Sequence, residues 1–264
     1  MSASAPRRIG ICGAMGRMGA AMARMLEGRD DLRITAVFDR PGTEGQSLDG
    51  RTLVTPEAAV GVCDVVVDFT NGEASAALAT LAARPGGPAL VIGSTGWNEA
   101  SEAAVRSAGK TIAIVKSGNY SLGLNILAGL VEETARRLGA RDWDIEISEA
   151  HHRRKVDSPS GTALMLGEAA ATGRGVSLDE VAVRTRDGIN GARVEGAIGF
   201  SVMRGGGIIG EHQAVFAGEE EILTLSHSAL DRGLFARGAL AAALWIADRP
   251  PGLYDMKDVL GFRS

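Results

Sequence analysis

The sequence predicts an α/β protein of two parts, a parallel-sheet domain followed by an α+β domain with a mostly antiparallel sheet. Two observations support this prediction. Up to about residue 119, short apolar segments alternate with helix-compatible segments, which is typical of βαβ units and a parallel sheet. Between residues 181 and 226, apolar segments predominate and helical patterns are scarce, which is typical of antiparallel strands.

The first domain is predicted to contain five strands and three helices in alternation. The valine-rich third strand is apolar at nearly every position, as a strand buried on both faces must be. Gly28 is a plausible stop for the first helix. The predicted strands span residues 8–12, 32–38, 62–69, 89–92 and 112–115, and the predicted helices span residues 17–26, 73–83 and 99–108.

The second domain is predicted to begin with a long helix and to continue mainly as strands. Its elements are a helix at 122–138, a strand at 144–148, a helix at 161–171, and strands at 198–203 and 208–216 that flank the glycine run 205–207. A last helix at 232–247 is expected to return to the first domain. The predicted boundaries are therefore 1–121 plus about 229–264 for the first domain, and 122–228 for the second.

Composition limits the class of protein. Apolar residues make up 45% and charged residues 23% of the 264 residues, which are ordinary values for a soluble globular protein. The net charge of −4 argues against a nucleic-acid partner. Residues 1–8 lack the apolar stretch of a signal peptide, and no long apolar run occurs, so we expect a cytoplasmic protein without a membrane partner. Cys12 and Cys63 lie in apolar runs that suggest buried strands, and they predict neither a disulfide nor a metal site.

A glycine-rich turn follows the first predicted strand and opens the first predicted helix. Residues 13–19 read GAMGRMG, and Asp39 ends the next predicted strand. Glycines let the backbone approach a pyrophosphate, the helix N-terminus offers N–H groups, and the acid meets the ribose hydroxyls. Together these features predict a Rossmann-like dinucleotide-binding domain; a glycine-rich turn without a ligand is the alternative. Arg17 and Arg40 lie where a 2′-phosphate would bind, or are solvated surface charges.

Two further turns of small residues follow later strands. They are Gly93-Ser94-Thr95-Gly96 and Ser117-Gly118-Asn119-Tyr120. Both are expected at the carboxyl edge of the sheet, where ligands of open α/β folds bind. Small residues there would let a nicotinamide ring lie against the backbone. Ordinary turns have the same composition, so the sequence leaves both interpretations open.

The segment 149–162, EAHHRRKVDSPSGT, concentrates positive charge in a net-acidic chain. His151 and His152 can titrate near neutral pH, unlike ordinary surface charges. The stretch 158–162 leads into a predicted helix, whose backbone N–H groups can bind an anion. These features favour a site for a substrate that carries carboxylates, with a solvated basic loop as the alternative. No metal is predicted, because no Asp, Glu or Cys completes a ligand set at a suitable spacing.

Taken together, these motifs resemble those of the dihydrodipicolinate reductases, also named 4-hydroxy-tetrahydrodipicolinate reductases. Residues 149–163 are similar to the signature of that family almost residue for residue. Further matches follow in the family's order at residues 13–19, 68–70, 93–96, 119–123 and 210–212. The resemblance covers essentially the whole chain. The His-His-Arg-x-Lys…Ser-Gly-Thr pattern is highly specific, whereas the glycine motif is much less so.

The resemblance implies an enzyme that reduces a cyclic imine dicarboxylate with NADH or NADPH in the diaminopimelate route to lysine. It implies that His151 donates or accepts a proton, that Lys155 donates one, and that the family's typical homotetramer forms through the sheet of the second domain. The substrate carboxylate is implied to bind at His152, Gly161 and Thr162. The implied cofactor residues are Gly13, Ala14, Met15, Gly16, Arg17 and Met18 at the pyrophosphate, Asp39 and Arg40 at the ribose, and Gly93, Ser94, Thr95, Ser117, Gly118, Asn119 and Tyr120 at the nicotinamide.

Some residues near the predicted nicotinamide pocket depart from the family pattern. Lys116 and Ser117-Gly118 stand where many members have small or apolar residues, and Tyr120 stands where phenylalanine is frequent. These departures concern the details of the nicotinamide pocket. His212 and His227 lie in predicted strands and are interpreted as structural.

Two other classes of protein account for part of the sequence. A related two-domain amino-acid dehydrogenase predicts the glycine motif without the His-His-Arg-x-Lys segment. A non-catalytic dinucleotide sensor predicts a recognition helix or a basic stripe outside the pocket, and the sequence contains neither. The reductase is therefore the favoured interpretation, and oxidation of a reduced dinucleotide with and without a cyclic imine would separate the three.

Overall fold

The computed structural model describes residues 5–262. The ends of the first predicted domain, and with them half of the N-terminal stretch examined for a signal peptide, lie outside the described residues. The strands are β1 (Arg7–Cys12), β2 (Leu32–Phe38), β3 (Ser47–Leu48), β4 (Arg51–Thr52), β5 (Val65–Asp68), β6 (Ala89–Ile92), β7 (Ala113–Lys116), β8 (Asp144–His151), β9 (Ala182–Val183), β10 (Ile198–Arg204), β11 (Glu211–Ala217), β12 (Ile222–Ser228) and β13 (Gly252–Tyr254). The helices are α1 (Arg17–Leu26), α2 (Pro56–Val62), α3 (Gly72–Ala82), α4 (Glu99–Ala108), α5 (Leu122–Arg137), α6 (Gly161–Arg174), α7 (Leu178–Val181), α8 (Gly233–Ile246) and α9 (Met256–Val259).

The chain forms two compact units. Unit 1 comprises Met1–Leu122 and Gly233–Ser264, and unit 2 comprises Gly123–Arg232. The helix α8 belongs to unit 1, although it follows unit 2 in the sequence. Across the described residues, every helix is too short or too polar to span a bilayer.

Unit 1 is built on a six-stranded sheet in the order β13-β7-β6-β5-β1-β2, with every pair parallel. Val65 and Val67 of β5 face one apolar cluster, to which α1 and α8 contribute, while Val66 faces a second cluster with α2, α3 and α4. Side chains that alternate between two buried faces explain why the first three residues of this strand are all valine. The predicted parallel-sheet domain is confirmed.

The prediction of a strand at 62–69 was wrong at its beginning. Thr55 accepts a hydrogen bond from the Ala58 amide and Pro56 occupies the first turn, so a short helix starts there and continues to Val62. Cys63 is the residue that caps this helix, not part of a strand, although both cysteines are buried and free. The strand β13 was not predicted, because three residues carry too little periodicity and the pairing with β7 supplies the order.

Unit 2 contains a five-stranded sheet in the order β12-β11-β8-β10-β9. One face packs on α5 and α6 through apolar residues such as Val131, Leu166, Ile147 and Phe216. The opposite face carries the exposed residues Ser201, Met203, Glu211, Gln213 and Thr224, and no helix among the described residues of unit 2 covers it.

The sheet of unit 2 is mixed. The strand β11 is antiparallel to both β8 and β12, as predicted, but β10 runs parallel to β8 and to β9. The glycine run 205–207 therefore does not close a hairpin between β10 and β11, because β8 lies between them. This order places the end of β8 beside residues from both neighbouring strands.

Candidate active site

The glycine-rich turn between β1 and α1 has the geometry of a phosphate cradle. Gly13 has a positive φ of 72°, and a Cβ at Gly19 would lie 2.6 Å from the backbone of Ala14. Gly16 is the N-cap of α1 and supplies no side-chain hydrogen bond to the first turn. The first N–H groups of a helix have no partner within the helix and can bind an anion. The backbone here therefore fits the pyrophosphate of a dinucleotide.

Asp39 joins the end of β2 to this turn. Its carboxylate accepts hydrogen bonds from the Met15 amide at 2.9 Å and from the Arg40 amide at 2.8 Å. Arg17 and Arg40 are exposed, and within the described residues neither guanidinium takes part in an ion pair. A cavity of about 640 Å³ adjoins Asp39 and Arg40 and is otherwise lined mainly by residues of α3 and of the segment leading into it. The size and the lining of this cavity fit the adenosine end of the cofactor.

The segment after β5 is tied to the segment after β6. The buried carboxylate of Asp68 accepts hydrogen bonds from the amide and the hydroxyl of Thr70 and from Ser75, and Ser75 shares a further hydrogen bond of 2.7 Å with Ser94. The ring of Phe69 occupies the space beside Gly93, where a Cβ would come within 2.2 Å. Glycine at this position is therefore required by the packing of the two segments.

Three of the predicted cofactor residues are buried. Ala14 and Ser94 are 3% and 5% exposed, and Tyr120 is 1% exposed. The Tyr120 hydroxyl donates to the carbonyls of Ile92 and Val115 at 2.9 and 3.1 Å. The side chain of Tyr120 thus joins the ends of β6 and β7, and a contact between Tyr120 and the nicotinamide, which stays a prediction, would be made by its backbone.

The rest of the turn after β7 is more accessible. Gly118 is exposed and Asn119 is partly exposed. Ser117 holds the turn, since its hydroxyl donates to the Asn119 carbonyl at 2.8 Å. Lys116 forms an ion pair of 2.5 Å with Glu102 and lies 4.1 Å from the centre of the Trp97 ring. Lys116 thus packs on Trp97, whose indole N–H donates to the Ser94 carbonyl and so holds the turn at 93–98.

In unit 2, His151 lies at the end of β8 with its side chain largely buried. Its Nδ1 is 2.6 Å from Oε2 of Glu149, a carboxylate that is itself only 1% exposed. Arg204 of β10 donates to both oxygens of Glu149 at 2.7 and 2.8 Å. The ring of His212, on β11, packs edge-on against His151 with the ring centres 5.0 Å apart. Burial, followed by the neighbouring charge of His151, lowers the pKa of His212 to about 4, so His212 is neutral at physiological pH.

The residues that follow β8 surround the start of α6. Ser160 is the N-cap of α6: its hydroxyl accepts from the Ala163 amide at 3.1 Å, and Gly161 and Thr162 form the first turn. Lys155 lies nearby in sequence and forms an ion pair of 2.9 Å with the exposed carboxylate of Asp157. The start of a helix attracts an anion through its free N–H groups and its dipole.

His152 has a partner that the sequence did not indicate. Its Nε2 lies 3.5 Å from a guanidinium nitrogen of Arg232, and its Nδ1 is buried without a hydrogen-bond partner among the described residues. Glu149 and Arg204 had no predicted role, and His212, which was predicted to be structural, lies against His151. Two of these residues, Glu149 and His212, lie in the family motifs 149–163 and 210–212, and this position was the only sequence signal for a role in the site.

Across residues 5–262, no group of three or more His, Cys, Asp or Glu side chains is placed to hold a metal ion.

A parallel-sheet unit whose glycine-rich turn fits a pyrophosphate, followed by a second unit with a mixed sheet, defines a class: the nicotinamide-dependent oxidoreductases. The profile of the dihydrodipicolinate reductase N-terminus matches residues 7–120, and the profile of the dihydrodipicolinate reductase C-terminus matches residues 123–260. The chain belongs to the dihydrodipicolinate reductase family, and it is an NAD(P)H-dependent enzyme. The resemblance derived from the motifs is confirmed.

Curated relatives and a solved structure agree with this family. The 4-hydroxy-tetrahydrodipicolinate reductase of Caulobacter vibrioides is 60% identical over 99% of this chain and 100% of the relative. The enzyme of the same name from Dinoroseobacter shibae is 50% identical over 95% of this chain and 97% of the relative. The structure of a dipicolinate-bound dihydrodipicolinate reductase from Paenisporosarcina sp. TG-14 superposes with a TM-score of 0.75 at 22% identity, covering 95% of this chain and 97% of that one, and it supports the fold.

Proposed function

We propose that this enzyme reduces 4-hydroxy-tetrahydrodipicolinate to tetrahydrodipicolinate with NADH or NADPH, with loss of water, in the diaminopimelate route to lysine. The observation that carries this proposal is the 60% identity, over nearly the whole chain, to a reductase of that name. The substrate is a small cyclic imine that carries two carboxylates. The residues after β8 offer a proton-transfer group and an anion site of the matching charge.

The dinucleotide is proposed to bind unit 1. Gly13, Ala14, Met15, Gly16, Arg17 and Met18 hold the pyrophosphate; Asp39 and Arg40 hold the ribose end; and Gly93, Ser94, Thr95, Ser117, Gly118, Asn119 and the backbone of Tyr120 border the nicotinamide. The contribution of Ala14 and Ser94 comes from the backbone, since both side chains are buried. Because Asp39 favours a free ribose hydroxyl and Arg40 favours a phosphate, the enzyme accepts both NADH and NADPH.

His151 is proposed to carry the proton in the reaction. Loss of water removes the C4 hydroxyl and a proton from C3, which leaves a C3=C4 double bond conjugated with the imine. Bound cofactor would supply a hydride to C4, and C3 would then take up a proton. Hydrogen bonding of His151 Nδ1 to Glu149 leaves Nε2 for the substrate. Lys155 is a second proton donor and offsets the charge of the substrate carboxylates. Its ion pair with the exposed Asp157 is weak enough to exchange for a substrate carboxylate.

The substrate carboxylates are proposed to bind at His152, Gly161 and Thr162. The start of α6 attracts an anion through its backbone N–H groups and its dipole. The buried Nδ1 of His152 has an unused hydrogen-bonding capacity among the described residues, which a ligand can satisfy. Arg232 lies at the other nitrogen of this ring and adds positive charge.

The remaining parts of the proposal concern organisation. We assign dinucleotide binding to residues 1–121 with 229–264, and substrate binding and oligomerisation to residues 122–228. The face of the second sheet that carries Ser201, Met203 and Gln213 is exposed in a single chain, which supports a homotetramer formed through that face. A cytoplasmic location fits a biosynthetic enzyme of this family. Light scattering on purified protein tests the oligomeric state directly.

A coupled assay tests the reaction. Aspartate semialdehyde, pyruvate and the preceding synthase generate the unstable substrate in place, and the absorbance of NADH or NADPH is followed in separate runs. Oxidation of both cofactors that depends on the synthase supports the proposal. Full activity without the synthase, or no oxidation of either cofactor by folded enzyme, contradicts it.

A further inference from the structure

Glu149 collects four hydrogen-bond donors in the interior of unit 2. Oε1 accepts from the Ser160 amide at 3.0 Å and from Arg204 at 2.7 Å. Oε2 accepts from Arg204 at 2.8 Å and lies 2.6 Å from Nδ1 of His151. The side chain is 1% exposed, so the carboxylate depends on these protein groups, and not on solvent water, for its hydrogen bonds. The carboxylate therefore joins the end of β8, the start of α6 and the strand β10.

The four contacts require an ionised carboxylate. Each oxygen accepts two donors, so neither has room for a proton. Burial acts to raise the pKa of Glu149, but the hydrogen bonds from Arg204, His151 and the Ser160 amide outweigh burial and hold the pKa below its ordinary value. An ionised carboxylate at Nδ1 also fixes the tautomer, because Nδ1 must carry a proton to donate.

We propose that Glu149 and Arg204 are positioning residues for the reduction: they hold His151 with Nδ1 protonated, leave Nε2 as the atom that exchanges a proton with the substrate, and keep this ring in register with the start of α6. The inference rests on the proposed function of His151. One carboxylate thus links the proton-transfer group to the segment proposed to bind the substrate carboxylate.

Arg204 extends the same link to the loop that carries Lys155. Besides Glu149, its guanidinium donates to the Asp157 carbonyl at 2.8 Å and to the Met203 carbonyl at 2.7 Å. Lys155 pairs with the side chain of Asp157. A fixed fork of donors can hold a carboxylate and a carbonyl at once, which the single ammonium of lysine cannot do in the same geometry.

The space around His151 is consistent with Nε2 as the reacting atom. A Cβ at Gly210 would lie 3.1 Å from Nε2, so a glycine keeps this nitrogen uncrowded. The titratable groups in contact with the ring are Glu149 on β8 and His212 on β11; Arg204 on β10 acts through Glu149, and the charge of Lys155 on the loop reaches His212. His212 is neutral, so Glu149 is the anion that stabilises a protonated His151.

A purely structural role is the competing explanation, since removing one partner of a buried ion pair destabilises a protein by itself. Glu146 provides a matched control on the same strand. It pairs with Arg186 and Arg193, at 2.7 and 3.1 Å, and has no histidine partner; its side chain is 31% exposed against 1% for Glu149, so it controls for loss of the ion pair and not for burial. Glu146→Gln therefore reports the cost of losing a carboxylate–arginine pair on β8 without a change at His151.

The experiment compares Glu149→Gln, Glu146→Gln and Arg204→Lys in the full-length enzyme by the coupled assay. An amide at position 149 turns one acceptor oxygen into a donor that faces two donors. We expect Glu149→Gln to lower kcat at least about tenfold. The loss should be smaller than the roughly 10⁴-fold drop in kcat that follows replacement of the aspartate that orients the catalytic histidine in serine proteases. NADH affinity should be unchanged, and the limb of the pH–rate profile that reports the catalytic acid should move to lower pH. Glu146→Gln should leave that profile in place, and Arg204→Lys should fall between them.

Two further measurements distinguish positioning from stability. Nitrogen-15 NMR of the His151 ring should report the Nδ1–H tautomer in the wild type and a mixture in Glu149→Gln. In a double-mutant cycle with His151→Gln, the loss caused by Glu149→Gln should nearly vanish, because both act through one ring. If Glu149→Gln does not fold, the cycle between Arg204→Lys and His151→Gln decides the same question. An active wild type with additive losses, an unchanged pH profile and an unchanged tautomer would overturn the positioning role and leave the proposed reaction intact.

Discussion

Replacing His151 by glutamine should reduce turnover sharply while costing little stability. The imidazole is proposed to supply a proton, and a positioned acid of this kind contributes about 10²–10⁴-fold. A loss of about 10²-fold in kcat corresponds to a barrier higher by about 2.7 kcal/mol. The glutamine amide can still donate to Oε2 of Glu149, so the carboxylate can keep all four of its donors. We therefore expect the free energy of unfolding to change by less than about 1 kcal/mol.

His151→Leu is the matched comparison for this reasoning. Leucine removes the same titrating group but leaves Glu149 with three donors in a buried site. An unsatisfied buried group costs about 1–3 kcal/mol, and more when it is charged. The two variants should therefore lose similar turnover but differ clearly in stability.

Lys155→Ala completes the series. Its ion pair is with an exposed carboxylate, so stability should change by less than about 1 kcal/mol, whereas kcat and substrate affinity should both fall. Steady-state rates from the coupled assay, urea unfolding, and cofactor affinity from fluorescence separate these effects. Near-normal turnover in both His151→Gln and Lys155→Ala would refute the assignment of the two residues, though not the cofactor site, which depends on unit 1.

Three other changes test different parts of the structure. Arg40→Ala should raise the KM for NADPH much more than that for NADH, and equal effects would contradict its role at a 2′-phosphate. Tyr120→Phe removes a hydroxyl that donates to two carbonyls, one of which, that of Ile92, also accepts from the Ser117 amide. We therefore expect the free energy of unfolding in urea to fall by about 1 kcal/mol, and a fall of more than about 3 kcal/mol would count against this account. Burial lowers the pKa of His212 to about 4 in the folded state, so its contribution to stability should be complete above about pH 6.5 and should disappear as the pH falls towards 4. His212→Gln should remove that dependence from the unfolding free energy, and an unchanged pH dependence would show that another group causes it.

Features that depend on local sequence were predictable. The glycine turn, the strand before it and the helix after it follow from residues within one βαβ unit, and the structure has them within a residue or two of the predicted positions. Val62 shows where this approach fails. An apolar residue next to a valine-rich strand fits either element by pattern, and the Thr55 cap with Pro56 decided for a helix.

Features that depend on distant residues were not predictable from periodicity. Glu149 and Arg204 are 55 positions apart, and they meet because β10 pairs in parallel with β8. His212 reaches His151 because β11 pairs with the other edge of β8. The sequence indicated antiparallel strands on either side of the glycine run 205–207, but it gave no sign that β8 lies between them. Without that strand order, neither contact with β8 can be foreseen.

In the proposed function, the start of a helix binds an anion twice, and the two anions differ in shape. At α1 the N-cap is Gly16, which leaves the first turn without a side-chain cap and lets a bulky pyrophosphate approach the backbone. At α6 the N-cap is Ser160, which occupies the Ala163 amide with its hydroxyl and is itself held by Glu149. Fewer N–H groups are then left for a ligand, in a position fixed relative to His151. A planar carboxylate needs only two hydrogen-bond donors, but the substrate ring that carries it must lie at a short distance from the proton donor. On the proposed function, the serine cap therefore leaves fewer N–H groups for an anion but fixes the distance from the start of α6 to His151, a constraint that the cofactor turn does not need.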